Sequence, residues 1–344
     1  MQDKILTISV AAYNSASYIS RCIESLVVDS VLAFLDIIIV NDGSTDNTLE
    51  IAKMYQQKYP DTIRVIDKDN GGHGSTINAS LQIARGKYYK IVDSDDWVEQ
   101  DGFVRLVQLL KQINADMVIN PYNLVDPATE EKERVSLIDD KRIESEVVYP
   151  LDSLPDAFDI AMHAVTFRTE VLWLSHFYID EHCFYVDQEY ILYPIRNVYS
   201  FCSCSFPVYD YLYGSSEQSC NRKNMINRID EHTHVCNQVL GCYKENDYNS
   251  SQKIIVLNRL AKLIMVEYFL LIDIGGDKGK DALMNIDLDL KSNASDVYYH
   301  LMSYSLVKDR IILRMLRLTK YKTFGLLCRI RRLKNKSRGN NGNW

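Results

Sequence analysis

Four short polar or acidic clusters in the first hundred residues contain the side chains with which this protein could do chemistry. Each cluster follows an apolar, β-branched run that is typical of a buried strand. In chain order they are Ala12-Tyr13-Asn14, Asn41 to Asp46, Asn70 to Gly74 and Asp93 to Asp96. Grouped carboxylates need a cation or hydrogen-bond donors to offset their desolvation, and hard oxygen ligands suit Mg²⁺ or Mn²⁺. The last cluster is therefore a candidate site for a divalent ion that also holds a diphosphate.

The elements that must position these clusters alternate between strand and helix. Strand patterns at 5–11, 35–41, 63–67, 88–92 and 117–120 alternate with helical patterns at 16–28, 46–59, 75–84 and 102–114. This succession predicts an α/β fold with a mostly parallel sheet and helices on both faces. Ligands of such a sheet bind outside the carboxyl ends of its strands, where the four clusters would meet.

The regular alternation ends near residue 121. A charged stretch at 126–146 and apolar alternation at 161–167 predict antiparallel or mixed additions to the sheet. A helix is expected at 187–197, and the apolar spacing is helical from residue 224 onward. We expect a catalytic domain over 1–220, a helical C-terminal region with a basic amphipathic end over 221–338, and a disordered tail at 339–344.

The order and spacing of the four clusters resemble those of the inverting, GT-A-fold glycosyltransferases of family 2. Taken alone each motif is weak, because an isolated Asp-x-Asp is usually a turn or a helix cap. The resemblance covers about residues 5 to 220 and implies a GT-A (Rossmann-like) nucleotide-sugar-binding domain there. It implies a hexosyl- or N-acetylhexosaminyl-transferase that is inverting and metal-dependent. The expected donor is a UDP-sugar, and the expected acceptor is a hydroxyl of a lipid-linked saccharide or glycoprotein glycan.

The resemblance also implies roles for individual residues. Asp42 would bind the uracil edge, and Ala12, Tyr13 and Asn14 would line the nucleoside pocket, although Tyr13 could instead pack in the core. Asp93 would face the ribose. Asp95 would hold Mn²⁺ or Mg²⁺. A carboxylate can accept from uracil or ribose, and an aromatic ring can pack on a base. The other expected donor-binding residues are Asn70, Gly71, Gly72 and Ser94.

The catalytic base that the resemblance implies is Asp187. In the family the base is the second acid of a pair that opens a helix and is followed by an aromatic residue. Val186 stands here where the family usually carries an acid. The alternative bases Glu189, Asp180 and Glu181 therefore stay open, as does a mere helix N-cap at Asp187.

Three further features could serve the same site. His73 lies in the glycine loop and His163 in the alternating strand, where each could contact phosphate or acceptor, although a lone histidine is more often structural. The segment 211–214, followed by Gln218-Ser219, resembles the region that closes over donor phosphates in relatives, so we expect a mobile cleft loop.

Other function classes lack their motifs. A sugar nucleotidyltransferase needs a glycine-rich basic loop at the N-terminus, and residues 5–14 contain neither glycine nor a basic residue. No Gly-x-Gly-x-x-Gly of an oxidoreductase follows the first strand. The Gln-x-x-Arg-Trp motif of processive family members is also absent, so transfer of a single sugar is expected. A non-catalytic nucleotide-sugar-binding or scaffold subunit of a glycan assembly complex stays open because of Val186.

Charge is distributed unevenly along the chain. Residues 308–338 contain twelve Lys or Arg and one acid, a local charge of +11 against −7 for the whole protein. The acidic remainder would repel nucleic acid, whereas the basic segment, interleaved with apolar residues, could lie on an anionic membrane. The alternative is a helical hairpin that packs its apolar stripe on the body of the protein.

The sequence gives a few indications of cellular location and of the state of the cysteines. The N-terminus lacks signal-peptide features and no run of about 18 apolar residues occurs, so we expect a cytoplasmic protein, peripheral on the inner membrane face. The eight cysteines show no zinc-like spacing and are expected to be reduced thiols. The sequence leaves oligomerisation open.

Overall fold

The computed structural model describes residues 3–175, 178–214, 218–304 and 306–337. The chain forms two compact units, Met1–Tyr213 and Gly214–Trp344, and each is described by itself. The tail predicted at 339–344 lies outside the described residues.

The first unit contains strands and helices in alternation. Its strands are β1 (Leu6–Ala12), β2 (Leu35–Asp42), β3 (Ile63–Lys68), β4 (Tyr88–Asp93), β5 (Trp97–Val98), β6 (Met117–Ile119), β7 (Tyr122–Val125), β8 (Lys132–Val135), β9 (Val148–Pro150), β10 (Val165–Arg168), β11 (Ser200–Ser203) and β12 (Tyr209–Leu212). Its helices are α1 (Ile19–Leu26), α2 (Thr48–Lys58), α3 (His73–Gln82), α4 (Gln100–Leu110), α5 (Thr169–Leu174) and α6 (Asp187–Leu192). Short 3-10 turns lie at Leu32–Phe34, Leu151–Ser153, Met162–Ala164 and Tyr193–Asn197.

The strands form two sheets in the described residues. The larger sheet has the order β3-β2-β1-β4-β10-β6-β11-β9, and the smaller has the order β5-β12-β7-β8. Strands β3, β2, β1 and β4 are parallel, whereas β10 runs antiparallel to both of its neighbours. Strand β9 is antiparallel to β11. The predicted mostly parallel sheet with antiparallel additions is confirmed.

Helices cover both faces of the large sheet, as β1 illustrates. Its side chains alternate between the two faces. Ile8 and Val10 belong to a buried core that includes residues of α1 and α4. Ser9 points the other way, and its Oγ lies 2.7 Å from the Oγ of Ser80 on α3. Every residue of β2 is buried, which accounts for its unbroken apolar run.

Two predicted elements differ in the structure. The helix expected at 187–197 is α6 only as far as Leu192, and a 3-10 turn with Pro194 near its start follows. Proline lacks the amide hydrogen that would continue an α-helix. The strand expected at 161–167 begins only at Val165, after the 3-10 turn that contains His163.

The second unit is helical, as predicted. Its helices are α7 (Arg222–Asn227), α8 (Ile229–Glu245), α9 (Ser250–Ile274), α10 (Gly276–Asn293), α11 (Ser295–Tyr304), α12 (Val307–Leu318) and α13 (Phe324–Ser337). Helix α9 is largely buried and packs against α8, α10, α11 and α13. Its start is fixed by a capping box between Asn249 and Gln252. No helix of the described chain combines the length and apolarity needed to cross a bilayer.

Two buried carboxylates fix the basic C-terminal helices within this unit. Asp273 accepts hydrogen bonds from Arg331 of α13 and from Arg222. Asp287 accepts from Arg317 of α12. Two arginines of the basic segment are therefore engaged inside the protein. No disulfide joins the eight cysteines, all of which lie in the described chain.

Candidate active site

The four clusters meet at the carboxyl edge of β1 to β4 and surround a cavity of about 620 Å³. The predicted site residues among its lining are Ala12, Tyr13, Asn14, Asp42, Asn70, Gly72, Asp93, Ser94 and Asp95. Gly71 and Asp187 are not among the lining residues. The lining also includes residues that the sequence did not single out: Ser15, Tyr18, Thr76, His182 and Cys183. Ser15, Tyr18 and Thr76 closely follow predicted clusters in the sequence, whereas His182 and Cys183 are brought there by the fold.

Asp42, at the end of β2, is surrounded by donors from the protein itself. The side chain is buried, and its two oxygens accept five hydrogen bonds of 2.7 to 3.1 Å. The donors are the Lys68 ammonium, the Ser75 hydroxyl, the Asn70 amide and the backbone N–H groups of Gly71 and Gly72. Asp42 therefore folds the glycine loop against β2, which is the clearest function of this carboxylate in the structure.

The loop after β1 is tied to the loop after β2. Asn14 has a left-handed backbone, with φ 47°, and its Oδ1 accepts the Thr45 N–H at 2.8 Å. The Asn14 N–H donates to Ser44 Oγ at 3.0 Å. Asp46 Oδ2 accepts the Ala16 N–H at 3.1 Å. The polar residues of the second cluster thus hold the first cluster in place, which leaves Tyr13 about half exposed at the cavity.

Two glycines allow the segment 180–183 to pack closely against the glycine loop. Gly72 has φ +81°, a conformation that side-chain-bearing residues rarely adopt. A Cβ on Gly74 would lie 2.0 Å from the carbonyl oxygen of Asp180, so only glycine fits at this position. The His182 N–H donates to the Gly71 carbonyl. This contact brings His182, Cys183 and the neighbouring Phe184 to the cavity wall.

His73 opens α3 and faces the acidic loop after β4. Its Nε2 lies 3.1 Å from Asp93 Oδ1. Burial would lower the pKa of His73, but the charges of Asp93, Asp187 and Asp95 outweigh it and the pKa is raised. The same pairing lowers the pKa of Asp93 against the effect of its own burial. Each side chain of this hydrogen-bonded pair thus favours the charged form of the other, and both line the cavity.

Asp96 is buried, and its carboxylate is hydrogen-bonded within the protein rather than facing the cavity. It accepts from the Tyr209 hydroxyl at 2.6 Å and from the Leu212 N–H at 2.8 Å. The same Tyr209 oxygen accepts the Asp93 N–H at 3.1 Å. Burial and the charges of Asp95 and Asp93 raise the pKa of Asp96 well above its usual value. Asp96 and Tyr209 thus fasten the acidic loop to β12.

Asp95 differs from both neighbours because it is exposed and lines the cavity. Partial desolvation in the cavity wall and the adjacent Asp93 charge raise the pKa of Asp95 to about 6. A divalent cation between these carboxylates would relieve their repulsion, and their oxygens are ligands that Mg²⁺ and Mn²⁺ prefer. The residues present therefore fit a divalent ion: Asp95 lines the cavity, and Asp93, Asp96 and His163 each have one ligand atom within 4.8 Å of the other two.

Asp187 is the first residue of α6, and its Oδ2 accepts from the Gln188 amide at 2.6 Å. Its charge acts on His73, which places it near the cavity although not in the lining. The alternative base Glu189 is buried, and one of its oxygens accepts the Asp180 N–H. Burial and the Asp180 and Asp187 charges raise the pKa of Glu189 to about 8. Glu189 therefore carries a proton at neutral pH. Of the other two alternatives, Glu181 accepts from the Tyr178 hydroxyl at an exposed position, and Asp180 is partly buried beside Gly74.

A second group of possible metal ligands lies in the C-terminal unit, where we expected the cysteines to be reduced thiols without zinc-like spacing. His232 and Cys236, four residues apart on α8, approach Glu267 of α9, and all three are buried. Glu267 accepts from His232 and from the Thr233 hydroxyl. These hydrogen bonds offset the cost of burying the Glu267 carboxylate. We therefore interpret the three side chains as a structural hydrogen-bonded group.

Comparison with known families and proteins gives a consistent result. The family model described as Glycosyl transferase family 2 matches residues 7–184, just over half of the chain. Chondroitin synthase of Pasteurella multocida (strain Pm70) is 42% identical over 97 residues, which are 28% of this chain and 10% of that protein. The putative glycosyltransferase EpsH of Bacillus subtilis (strain 168) is 40% identical over 101 residues, 29% of each chain. The chain thus matches less than a third of either relative's length.

Two solved structures share the fold. TarS 1–349 of S. aureus, in complex with UDP-GlcNAc, has a TM-score of 0.66 at 16% identity and covers 96% of this chain and 92% of that one. The mannosyltransferase PcManGT from Pyrobaculum calidifontis, in complex with GDP-Man and Mn²⁺, has a TM-score of 0.52 at 14% identity. The match covers 98% of this chain and 89% of that one. At these identities the likeness establishes the fold, which is the predicted GT-A fold.

Proposed function

Because this chain belongs to glycosyltransferase family 2, we propose that it transfers a single hexose or N-acetylhexosamine, with inversion, from a UDP-sugar to a saccharide hydroxyl. The acceptor is a lipid-linked saccharide or a glycoprotein glycan. One observation carries the proposal: an exposed carboxylate, Asp95, a half-exposed ring, Tyr13, and a glycine loop line one cavity of about 620 Å³. That volume suits a ligand of the size of a nucleotide sugar.

The donor would lie along this cavity. Tyr13 packs on the nucleobase, and Asn14, Asn70 and Ser94 supply polar contacts to the nucleoside. The carboxylate of Asp93, paired with His73, faces the ribose. Asp42 acts on the base through the loop that it holds, because its own oxygens already accept five hydrogen bonds.

Asp95 would hold Mn²⁺ or Mg²⁺ against the donor diphosphate. A bound divalent ion neutralises the negative charge that develops on the diphosphate when its bond to the sugar breaks. The contribution of the chain is to place Asp95 beside the cavity while Asp96 and Tyr209 hold its loop in position.

Asp187 would act as the general base. It takes the proton of the acceptor hydroxyl as that oxygen forms a bond to C1 of the sugar, and the bond from C1 to the diphosphate oxygen breaks. The nucleotide leaves with the bonding electrons, and attack from the opposite side inverts C1. Glu189 is the weaker candidate because it already carries a proton at neutral pH.

The first experiment measures release of free nucleotide from UDP-, GDP- and TDP-sugars with Mn²⁺, with Mg²⁺ and with chelator. Metal-dependent hydrolysis of one donor would identify the sugar. Asp187→Asn should lose transfer to an added acceptor, whereas Asp180→Asn, which changes a neighbouring acid, should retain it. The opposite pattern would assign the base to Asp180.

The alternative is a non-catalytic nucleotide-sugar-binding or scaffold subunit of a glycan assembly complex. The observation that favours it is Val186, which is buried where the family usually carries an acid. Calorimetric binding of a donor with no turnover under any metal or acceptor condition would support this reading. If the protein binds no nucleotide sugar, both readings are wrong.

The outer side of α13 supports a further part of the proposal, which is peripheral contact with an anionic membrane. Leu326, Ile330 and Leu333 follow one another at i, i+4 and i+7 and are 54%, 50% and 70% exposed. Exposed Arg329 and Arg332 accompany them. A helix with an apolar stripe and basic neighbours can lie in the headgroup region of an anionic leaflet.

Part of the basic segment instead packs on its own unit, as the hairpin alternative expected. The apolar residues buried there include Leu313, Leu316, Phe324 and Leu327. A combined Leu326→Ser, Ile330→Ser and Leu333→Ser variant should lose most binding to vesicles with anionic lipids, and parental binding should weaken with salt. Leu288→Ser, at a comparably exposed position of α10, is the control. Unchanged binding by the triple variant would contradict the membrane contact.

A further inference from the structure

The edge of the large sheet continues beyond the cavity. The clusters that follow β2, β1 and β4 are neighbours along this edge, and β10 is the next strand. Because β10 runs antiparallel to β4, its N-terminal end lies at the same edge as the carboxyl end of β4. His163, in the turn before β10, is therefore placed directly beyond the acidic loop, on the side away from Asp42.

Contacts link His163 to the acidic loop. One side-chain ligand atom each from His163, Asp93 and Asp96 lies within 4.8 Å of the other two. The Tyr209 ring packs edge-on against His163 at a centroid distance of 5.1 Å, while its hydroxyl bonds both the Asp93 N–H and Asp96. The acidic loop and the aromatic residues beyond it are thus joined through Tyr209.

Several aromatic rings adjoin His163. It stacks on Tyr211, with centroids 4.2 Å apart and planes at 20°, and lies 5.3 Å from the Tyr122 ring. Tyr213 packs on Tyr211 at 5.5 Å. Tyr209 is buried, whereas the other rings keep part of their surface exposed. We name these partly exposed residues, Tyr122, His163, Tyr211 and Tyr213, the aromatic face.

The chemistry of this face suits a sugar ring. A pyranose presents C–H bonds on its faces and hydroxyls at its rim, and tyrosine combines an apolar ring with a polar tip. Inversion requires the acceptor to approach from the side opposite the leaving diphosphate. The nucleotide-binding clusters lie on one side of the acidic loop and the aromatic face lies on the other, which is where an acceptor would stand.

We propose that the aromatic face binds the sugar ring of the acceptor, with Tyr211 as the main stacking surface. This inference rests on the proposed function, because only a transferase with a saccharide acceptor needs such a subsite. The ligand class is a pyranoside.

Saturation-transfer NMR tests the inference without turnover. The full-length protein with UDP and Mg²⁺ is mixed with methyl β-N-acetylglucosaminide, methyl β-galactoside and methyl α-mannoside. At least one glycoside should receive saturation at its ring protons. Tyr211→Leu should weaken its binding about 3- to 10-fold, whereas Tyr211→Phe, which keeps the ring, should bind as the parent does. Tyr199→Leu, at an exposed tyrosine of the same unit, is the control.

The UDP signal in the same samples distinguishes a failure of the acceptor-site inference from a failure of the proposed function. If UDP receives saturation but no glycoside does, or if Tyr211→Leu binds the glycoside as tightly as the parent, the aromatic face is not an acceptor site. If the parent binds no nucleotide, the proposed function fails as well. A UDP signal in Tyr211→Leu also shows that the variant is folded.

Discussion

The loops after β2 and β4 are both acidic and both border the cavity, but they use their carboxylates in opposite ways. Asp42 is buried and accepts five hydrogen bonds from the protein. After β4, Asp93 pairs with His73 and Asp96 with Tyr209, which leaves Asp95 exposed to the cavity with a raised pKa. The first loop uses its acid to hold the wall of the cavity together, whereas the second leaves one acid exposed to the cavity.

This difference shows that residue type does not decide whether a motif acid binds a ligand. The decisive quantity is the number of donors that the fold already directs at it. Asp42 has almost no acceptor capacity left, so its replacement should act mainly on stability. Asp95 has a hydrogen bond with its own backbone N–H and is exposed to the cavity, so its replacement should act mainly on activity.

Asp95→Ala is expected to give the largest effect. Loss of the cation ligand should lower metal-dependent donor turnover about 1000-fold, because charge on the leaving diphosphate is no longer offset. The thermal midpoint without metal should stay the same or rise, because an ionised carboxylate beside Asp93 is disfavoured in the fold. Turnover assays and thermal unfolding measure the two effects. Near-parental turnover would contradict the metal assignment.

Asp42→Ala should show the reverse pattern. Removing the carboxylate leaves buried donors of the glycine loop without acceptors and Lys68 without its ion-pair partner. The free energy of unfolding should fall by about 3 kcal/mol, measured by urea denaturation. A variant as stable as the parent but with no affinity for nucleotide would show that Asp42 binds the base directly, and the contrast between the two loops would disappear.

Glu189→Gln extends the comparison to a buried acid with one donor, the Asp180 N–H. Its pKa of about 8 in the folded state lies above the value near 4.5 of the unfolded chain, so the parent loses stability as the pH rises between them. The loss is at most about 1.4 kcal/mol per pH unit. Glutamine does not titrate, so the variant's thermal midpoint should fall less between pH 5 and pH 8. Parallel pH profiles would mean that Glu189 is ionised in the fold.

Much of this fold follows from the sequence. The unbroken apolar run of β2 and the alternation in β1 predict a sheet buried on both faces, and the structure has it. The position of the clusters after successive strands predicts that they meet, because parallel strands end at one edge. These inferences use local pattern and topology only, so they do not depend on contacts between distant residues.

The parts of the fold and of the site that the sequence did not predict depend on contacts between residues that are far apart in the chain. The start of β10 at Val165 is set by its antiparallel pairing with β4 and β6. His182 and Cys183 line the cavity because Gly74 admits the Asp180 carbonyl about a hundred residues later in the chain. The five donors of Asp42 likewise come from the end of β3, the glycine loop and the start of α3. No periodicity within a single segment carries this information.

Ser75→Ala should have the smallest effect on stability of these variants. It tests whether the donors to Asp42 act together to hold the glycine loop. The substitution removes one of five donors to Asp42 and leaves the backbone N–H groups and Lys68 in place. The free energy of unfolding should fall by about 1 kcal/mol, since a single hydrogen bond to a partner with other donors is replaced easily. Nucleotide affinity should change little. A loss as large as that of Asp42→Ala would mean that the Ser75 hydroxyl, whose one hydrogen lies between Asp42 and the Gly72 carbonyl, holds the loop instead.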